Sequence, residues 1–435
     1  MLKIGRQAEM RKFVAEANAE YHHWEKLRYL PTPPDVSAET AWQLVKWSRL
    51  GQELSLPLLD DHDRPFSYWL PNSALETLHE VDRWGGTTLA VPGDAATALG
   101  DMRDRVLITS LMEEAIATSQ IEGAATTRRV AKELLRTNRK PRDRSEQMIV
   151  NSYRTIRLLR ERLERPLSLE FLFEIQESMT RDTLDDPGAV GRLRRADENI
   201  CVVDVRDDEI VFTPPKAEKL PDRLRKLIDF ANAAADKEDF VHPLVKAAIL
   251  HFWLAYEHPF VDGNGRAARA LFYWYMLKRG YWLFEFLTVS RIILAAPMRY
   301  YRSFLYSEQD DNDLTYSVVY QLGATKKAIA ALREYLAEKQ REQSAAASAL
   351  RDLPFLNYRQ RTILTEMLRD PRRVFTFKSH RITQGITNMT ARADLIGLVE
   401  RGLLTDTQIG RERAFVPPVD LAEKLEKKTK RRRTK

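Results

Sequence analysis

Pro259 and Gly263 together fix the course of this chain more tightly than any other feature in it. The segment "HPLVKAAILHFWLAYE", His242 to Glu257, reads as a buried helix. It has to stop at His258, because the proline that follows disfavours helical geometry in the residue before it and has no N–H to give. Phe260 is the apolar anchor expected to hold the loop on the core. "DGNG" then supplies a tight turn in which glycine takes positive φ without steric cost. A second helix opens near Arg266. Its first amides point back into the loop without partners and, with the helix dipole, make a cradle for an anion. Arg266 and Arg269 stand three apart, so both guanidinium groups are expected to reach that cradle. Asp262 hangs over the same turn, where a hard cation such as Mg²⁺ can bridge a carboxylate and a phosphate. His258 at the lip supplies a base that titrates near neutrality. The segment describes a polyphosphate site with a histidine beside it.

The stretch "HPFVDGNGRAAR", His258 to Arg269, satisfies every specified position of HPF-x-[D/E]-GNGR-x-x-R, the signature of the Fic (filamentation induced by cAMP) family. The chain is similar to that family over roughly residues 100–335. The resemblance implies a protein adenylyltransferase. In it His258 deprotonates a Ser, Thr or Tyr hydroxyl of a target protein. The hydroxyl attacks the α-phosphate of ATP, AMP stays on the target and pyrophosphate leaves. By the same resemblance Asp262 holds Mg²⁺, and Asn264 steadies the α-phosphate with the loop amides of Gly263 and Gly265. Arg266 and Arg269 grip the outer phosphates. Tyr300 and Tyr301, in "MRYYRSFL", look like the family's tyrosine pair beside the adenine, and Val203 joins the nucleotide side from a hairpin. The sequence departs from the family where an asparagine often follows that pair, since "YSEQDD" has none. Adenine preference therefore rests on less than phosphate binding does, and removal of AMP or use of another nucleotide stay open as alternatives.

A second motif lies far upstream. "TSQIEG" fits the inhibitory [S/T]-x-x-x-E-[G/N] pattern of many Fic proteins through Thr118, Glu122 and Gly123. "GDMRDRVLITSLMEEAIATSQIEG" reads as an amphipathic helix ending at Gly123, a favourable residue just past a helix C-terminus. Glu122 at that end can pair with Arg269, a planar bidentate match for a carboxylate. An arginine so engaged cannot bind a γ-phosphate, so the expectation is an autoinhibited enzyme.

Helical periodicity dominates up to about residue 340, with helices expected near 145–164, 168–182, 217–235 and 243–257. The first hundred residues read as tryptophan-rich helices with proline-stopped connections. The expected class is mainly α: a Fic helical core with a β-hairpin flap, followed by a winged helix–turn–helix. The expected boundaries are 1–100 for a helical N-terminal region and 101–336 for the Fic domain, with the inhibitory helix at about 103–123. A linker, helical or flexible, follows over 337–353, then the winged helix–turn–helix over 354–418 and a basic tail over 419–435. "NICVVDVRDDEIVF", 199–212, is the hairpin signal, either a surface ornament or an exposed strand edge on which a target's extended segment docks.

Charge narrows the partners. Of the net +7, the last nine residues carry seven charges and the remaining 426 residues balance. The body is thus no basic machine. DNA contact through 378–416 nevertheless stands as a rival function, that of a DNA-binding regulator. Thr387, Asn388, Thr390 and Arg392 would lie on the recognition helix, Arg411 and Arg413 on the wing, and Asp394, Glu400 and Asp406 would dilute the positive field. A protein-binding role or self-association into a homo-oligomer is the other reading of that segment. The lone Cys201 excludes an internal disulfide and suits a reducing compartment, so the cytoplasm is expected. No apolar stretch reaches the ~20 residues that span a bilayer, so no membrane partner is expected. His251 reads as a core residue, since no HExxH or Cys/His cluster accompanies it.

Overall fold

The structure is a computed structural model that describes residues 2–85, 94–203, 210–233, 240–351, 353–369, 373–409, 412–425 and 427. It is mainly helical with small sheets. The chain divides into two compact units, Met1–Leu89 with Leu107–Ala330, and Ala90–Val106 with Ala331–Lys435. The first hundred residues are therefore not set apart as a unit of their own.

In the first unit α1 (Leu2–Ala19), α2 (Trp24–Leu27) and α3 (Ala38–Arg49) pack around Phe13, Leu27, Ala41 and Val45. An antiparallel hairpin follows, β1 (Leu54–Leu59) with β2 (Pro65–Tyr68), where the sequence suggested only helices and connections. Alternation explains it: Leu56 and Leu58 on one strand and Phe66 and Tyr68 on the other are buried. Asp60 closes the turn by accepting the backbone N–H groups of His62 and Arg64, each at 2.8 Å. The layer is tied down by Arg49, whose fully buried guanidinium donates to Tyr316 Oη and Asn18 Oδ1 at 2.9 Å and to the His22 carbonyl at 3.1 Å. A buried charge needs such partners, and losing one would cost about 1.5–3 kcal/mol.

Next come α4 (Asn72–Gly85), α5 (Asp94–Ile121), α6 (Arg128–Thr137), α7 (Arg144–Glu161) and α8 (Leu169–Thr180). Asp143 and Ser168 cap α7 and α8 through the N–H groups of Glu146 and Phe171. The short β3 (Val202–Val203) and β4 (Ile210–Phe212) pair antiparallel, with Val202 opposite Phe212 and Val203 opposite Ile210. The "RDDE" turn of that hairpin lies outside the described residues. Then follow α9 (Leu220–Asn232), α10 (Pro243–Glu257), α11 (Asn264–Lys278), α12 (Val289–Ala295), α13 (Pro297–Gln309) and α14 (Thr315–Arg351). Residues 337–351 continue α14, the helical of the two forms considered for them.

The pair α10–α11 is the centre of the first unit. Every residue from Leu244 to Leu254 is buried, and so is every residue from Arg266 to Met276. The helices pack along each other, with α7 and α8 against α11 and α9 against α10. Trp253, Trp274, Phe252 and Phe260 fill the space, each at or below 1% exposure. Burying side chains of that size is worth about 1.5–3 kcal/mol apiece, so the loop between α10 and α11 hangs from two firmly packed helices.

The second unit holds α15 (Tyr358–Arg369), β5 (Phe375–Thr376), α16 (Phe377–Gln384), α17 (Asn388–Glu400), β6 (Thr405–Ile409) and β7 (Glu412–Val416). The three strands form an antiparallel sheet in the order β5-β7-β6. Its core runs through Leu364, Phe375, Leu395, Leu398, Leu403 and Phe415, and continues into Leu421 and Leu425, so the start of the expected basic tail is packed. Residues 428–435 lie outside the described residues. Asp394 does not dilute a surface field, contrary to the sequence expectation. It is buried and accepts from Asn357 Nδ2, Arg359 Nε and His380 Nε2 at 2.7, 2.7 and 3.1 Å. Asp406 is neutralised by Arg413, which removes that arginine from a free wing; Arg411 is outside the described residues.

Candidate functional site

The site is built on the turn from α10 to α11. His258 caps α10 in the left-handed region, φ 45° and ψ 55°, and its N–H donates to Leu254 O at 3.2 Å. Gly263, at φ 86°, precedes α11; a β-carbon there would also meet Thr180 Cγ2 at 2.8 Å. Gly265, expected in the same turn, is already helical, and its missing side chain serves a different purpose. A β-carbon at Gly265 would lie 2.3 Å from Glu122 Oε1 and 3.2 Å from Arg269 Nη1. The amino end of α11 is thus bare backbone, and no side chain caps it. An unpaired, positively polarised helix end takes an anionic group, and a carboxylate lies there.

That carboxylate is Glu122. Gly123, at φ 89°, ends α5, and Glu122 Oε1 accepts from Arg269 Nη2 at 2.7 Å. The contact is one oxygen to one nitrogen rather than the expected two-pronged match. Thr118 takes the second prong: its hydroxyl accepts from Arg269 Nε at 2.7 Å and its carbonyl from Nη2 at 3.1 Å. Arg269 Nη1 stays buried and without a partner.

Arg266 takes a different course from Arg269, toward α8 and the Asp262 side of the loop. Its side chain is 0% exposed; Nη1 donates to Met179 O at 2.9 Å, and Nη2 faces the Asp262 carboxylate at 3.3 and 3.4 Å. Three residues along a helix is 300°, so the two side chains diverge by about 60°, enough to send one to α8 and the other to α5.

Asn264 is committed in part to the loop: its Oδ1 accepts from Phe260 N at 2.9 Å and its Nδ2 donates to Phe260 O at 2.8 Å, which staples the turn and leaves the second Nδ2 hydrogen for another acceptor. Asp262 is 37% exposed and lies 3.6 Å from Arg144 Nη2. Glu122, Gly123, Arg144, Ser145, Met148 and Asp262 line one open cleft of about 390 Å³.

His258 is half-buried, with Nδ1 3.4 Å from Ala255 O. Burial above all pushes its pKa down to about 4, Arg194 adding to the push while the Ala255 carbonyl, Glu122 and Asp262 oppose it. The imidazole is neutral at physiological pH, the form a general base needs. The tyrosine pair splits in two. Tyr300 is core, stacked on His251 with its hydroxyl 2.9 Å from Nε2, whereas Tyr301 is 43% exposed. His251 itself is fully buried between Tyr300 and Gln321, the core role read from the sequence. Val203 stands 43% exposed on β3.

Three contributors escaped the sequence reading. Arg144 sits at the first position of α7 and reaches Asp262 across the cleft. Glu114, two turns before Glu122, is buried and accepts from Tyr273 Oη at 2.7 Å and Ser290 N at 3.1 Å, which sets α5 along α11. Arg194 braces the carbonyls around His258. None stands at a spacing that a local motif could reveal.

Residues 166–276 match the Fic/DOC family model. Among curated relatives, protein adenylyltransferase fic-1 of Caenorhabditis elegans is 37% identical over 70 residues, 16% of this chain and 13% of that protein. The protein adenylyltransferase and cysteine protease IbpA of Histophilus somni is 32% identical over 117 residues, 27% of this chain and 2% of that protein. The matched stretch is thus a small part of each relative. Among solved structures, a Fic family protein from Desulfovibrio desulfuricans G20 covers 79% of this chain and 94% of its own, with a TM-score of 0.52 at 20% identity. A fragment of Fic-1 from C. elegans covers 78% and 87%, with a TM-score of 0.51 at 20% identity. These two likenesses concern the fold.

Proposed function

We propose, from the premise that the chain belongs to the Fic/DOC family through its 166–276 segment, that it transfers AMP from ATP to a Ser, Thr or Tyr hydroxyl of a target protein or of itself. The observation that carries the proposal is a neutral imidazole, His258, one tight loop away from an uncapped helix end served by Arg269. His258 takes the hydroxyl proton as the oxygen bonds to the α-phosphorus; the bond to the pyrophosphate oxygen breaks and pyrophosphate leaves with that electron pair. The bare amides over Gly265 cradle phosphate oxygens, and Arg269 binds the outer phosphates. Tyr301 offers an exposed ring to the base. Asp262, partly exposed in the cleft, suits Mg²⁺ as its one protein carboxylate, since no group of three ligating side chains occurs among the described residues and Mg²⁺ commonly completes its shell with phosphates and water. When bound there, the ion would neutralise phosphate charge.

In the same proposal the protein is autoinhibited. The Glu122 carboxylate occupies the space over Gly265 and holds Arg269, the two features a polyphosphate requires. The target docks along the β3–β4 edge, where Val203, Ile210 and Val211 are 43, 63 and 40% exposed.

The test uses the Glu122→Gly protein with α-labelled and γ-labelled ATP, beside a Glu122→Gly/His258→Ala version. Label from the α-position alone, lost without His258, is the expected result. Label from the γ-position means phosphorylation and overturns the proposal. Release of AMP from pre-labelled protein by the wild type would favour the reverse reaction.

A second reading, DNA binding by the C-terminal unit, gains from one observation. With Asp394 buried, the exposed amino-terminal part of α17, with Asn388 and Arg392, carries no acidic side chain. Loss of salt-sensitive DNA retention in an Asn388→Ala/Arg392→Ala chain is the expected result; retention unchanged by the substitutions overturns the reading.

A further inference from the structure

His258 ends α10 in the left-handed backbone region, at φ 45° and ψ 55°. A residue with a β-carbon enters that region only against steric resistance that glycine does not meet. The carbonyls at that end of α10 also point out of the helix at its negative pole.

One side chain collects them. Arg194 Nε donates to His258 O at 2.7 Å, and Nη2 donates to the Pro215 carbonyl and, at 3.4 Å, to Glu257 O. The Arg194 backbone N–H adds a bond to Pro259 O at 2.8 Å. Arg194 is 8% exposed, so these bonds form where water does not compete. The preceding residue is held from the other side: the Glu257 carboxylate accepts from Arg223 Nε at 2.6 Å and Trp253 Nε1 at 3.0 Å.

The chain positions of these partners matter. Arg194 lies shortly before β3 and Pro215 shortly after β4, so one guanidinium joins both roots of the hairpin to the backbone of the histidine. A planar fork with several fixed donors can do this, whereas a lysine offers one point charge.

We propose that Arg194 is the positioning residue for His258: it fixes the backbone of the base in its left-handed form and couples it to the hairpin. This rests on the reading of His258 as the base of AMP transfer. Arg194 bonds protein carbonyls only, so its loss acts on the aim of the imidazole and leaves the phosphate cradle formed by α11 intact.

The experiment compares Glu122→Gly with Glu122→Gly/Arg194→Gln and Glu122→Gly/Arg194→Lys, all as full chains. It measures single-turnover AMP transfer from α-labelled ATP, and separately the affinity for a non-hydrolysable ATP analogue. The expected result is a fall in turnover of tenfold or more for Arg194→Gln with analogue affinity within about twofold, and a smaller fall for Arg194→Lys. Equal losses of turnover and affinity, or turnover unchanged, overturn the proposal. If Arg194→Gln fails to fold, Arg194→Lys carries the same comparison. Should the Glu122→Gly chain transfer no AMP, the functional reading fails, and positioning is then read from the His258 imidazole resonances by NMR. Those resonances move in Arg194→Gln if the residue positions the ring; unmoved resonances in a folded chain overturn it.

Discussion

Glu122 and Gly265 meet so closely that one lacks a side chain where the other ends: a β-carbon at Gly265 would stand 2.3 Å from Glu122 Oε1. Glu122 lies on the segment that ends α5 and Gly265 on the first turn of α11, 143 positions apart in sequence. In the proposed function that carboxylate stands where a phosphate would bind, and the absent side chain at Gly265 is what leaves it room.

Replacing Glu122 with glycine is expected to raise autolabelling with α-labelled ATP by about tenfold or more, since Arg269 then has a free prong and the amides over Gly265 are uncovered. Glu122→Gln keeps the bulk and loses the charge, so its rate should fall between the two. Initial rates measured side by side check this; a Gln variant as fast as Gly would assign the brake to charge alone.

Gly265→Ala introduces no backbone strain, because Gly265 is helical. In the Glu122→Gly background it should leave the melting temperature unchanged or higher, alanine being the better helix former. Nucleotide affinity should nevertheless fall about tenfold, because the methyl group blocks close approach to the amides. Calorimetric titration with an ATP analogue, beside a thermal melt, separates the two effects.

Asn264→Ala strips the loop of its staple and leaves the buried N–H and C=O of Phe260 unpaired. A cost of about 2–6 kcal/mol follows, from roughly 1–3 kcal/mol for each of the two unsatisfied groups. Differential scanning calorimetry should show a melting temperature lower by several degrees. No change would mean that the loop is held by Phe260 packing alone.

The pKa of His258 is down at about 4 and that of His251 at about 3, burial being the main cause of each. Transfer by the Glu122→Gly protein should therefore stay level from pH 8 to below 6 and fall only in more acid solution. Stability runs in the same direction. Below the unfolded histidine pKa near 6.5 the unfolded chain binds protons that the folded chain refuses, so folding weakens as pH drops from there toward the folded values. Melts between pH 7 and pH 4 check the sign, and a rate with its midpoint near 6.5 would place His258 in a more open setting than the one described.

The loop around His258 was legible because its determinants are local: a proline that stops one helix, a glycine with positive φ, a helix start without a cap. The pairing of Glu122 with Arg269 was legible from two motifs taken together. What the sequence hid was direction. Arg266 and Asn264 are in the motif, yet α8 and Phe260 claim their side chains, and only packing reveals that. The β1–β2 hairpin was hidden by its prolines, although its inward alternation was there to count. Arg194 and Glu114 carry no local signal, since each acts on residues brought near by the fold.

The left-handed backbone at His258 also has a meaning for anyone breeding this protein for heat resistance. Glycine, or asparagine, would sit at that position more comfortably than histidine, so a screen scored on melting temperature alone would reward the loss of the imidazole. If His258 is the base of the proposed transfer, position 258 is where durability and chemistry part company, and a library designed around this scaffold has to hold that one residue constant by decree.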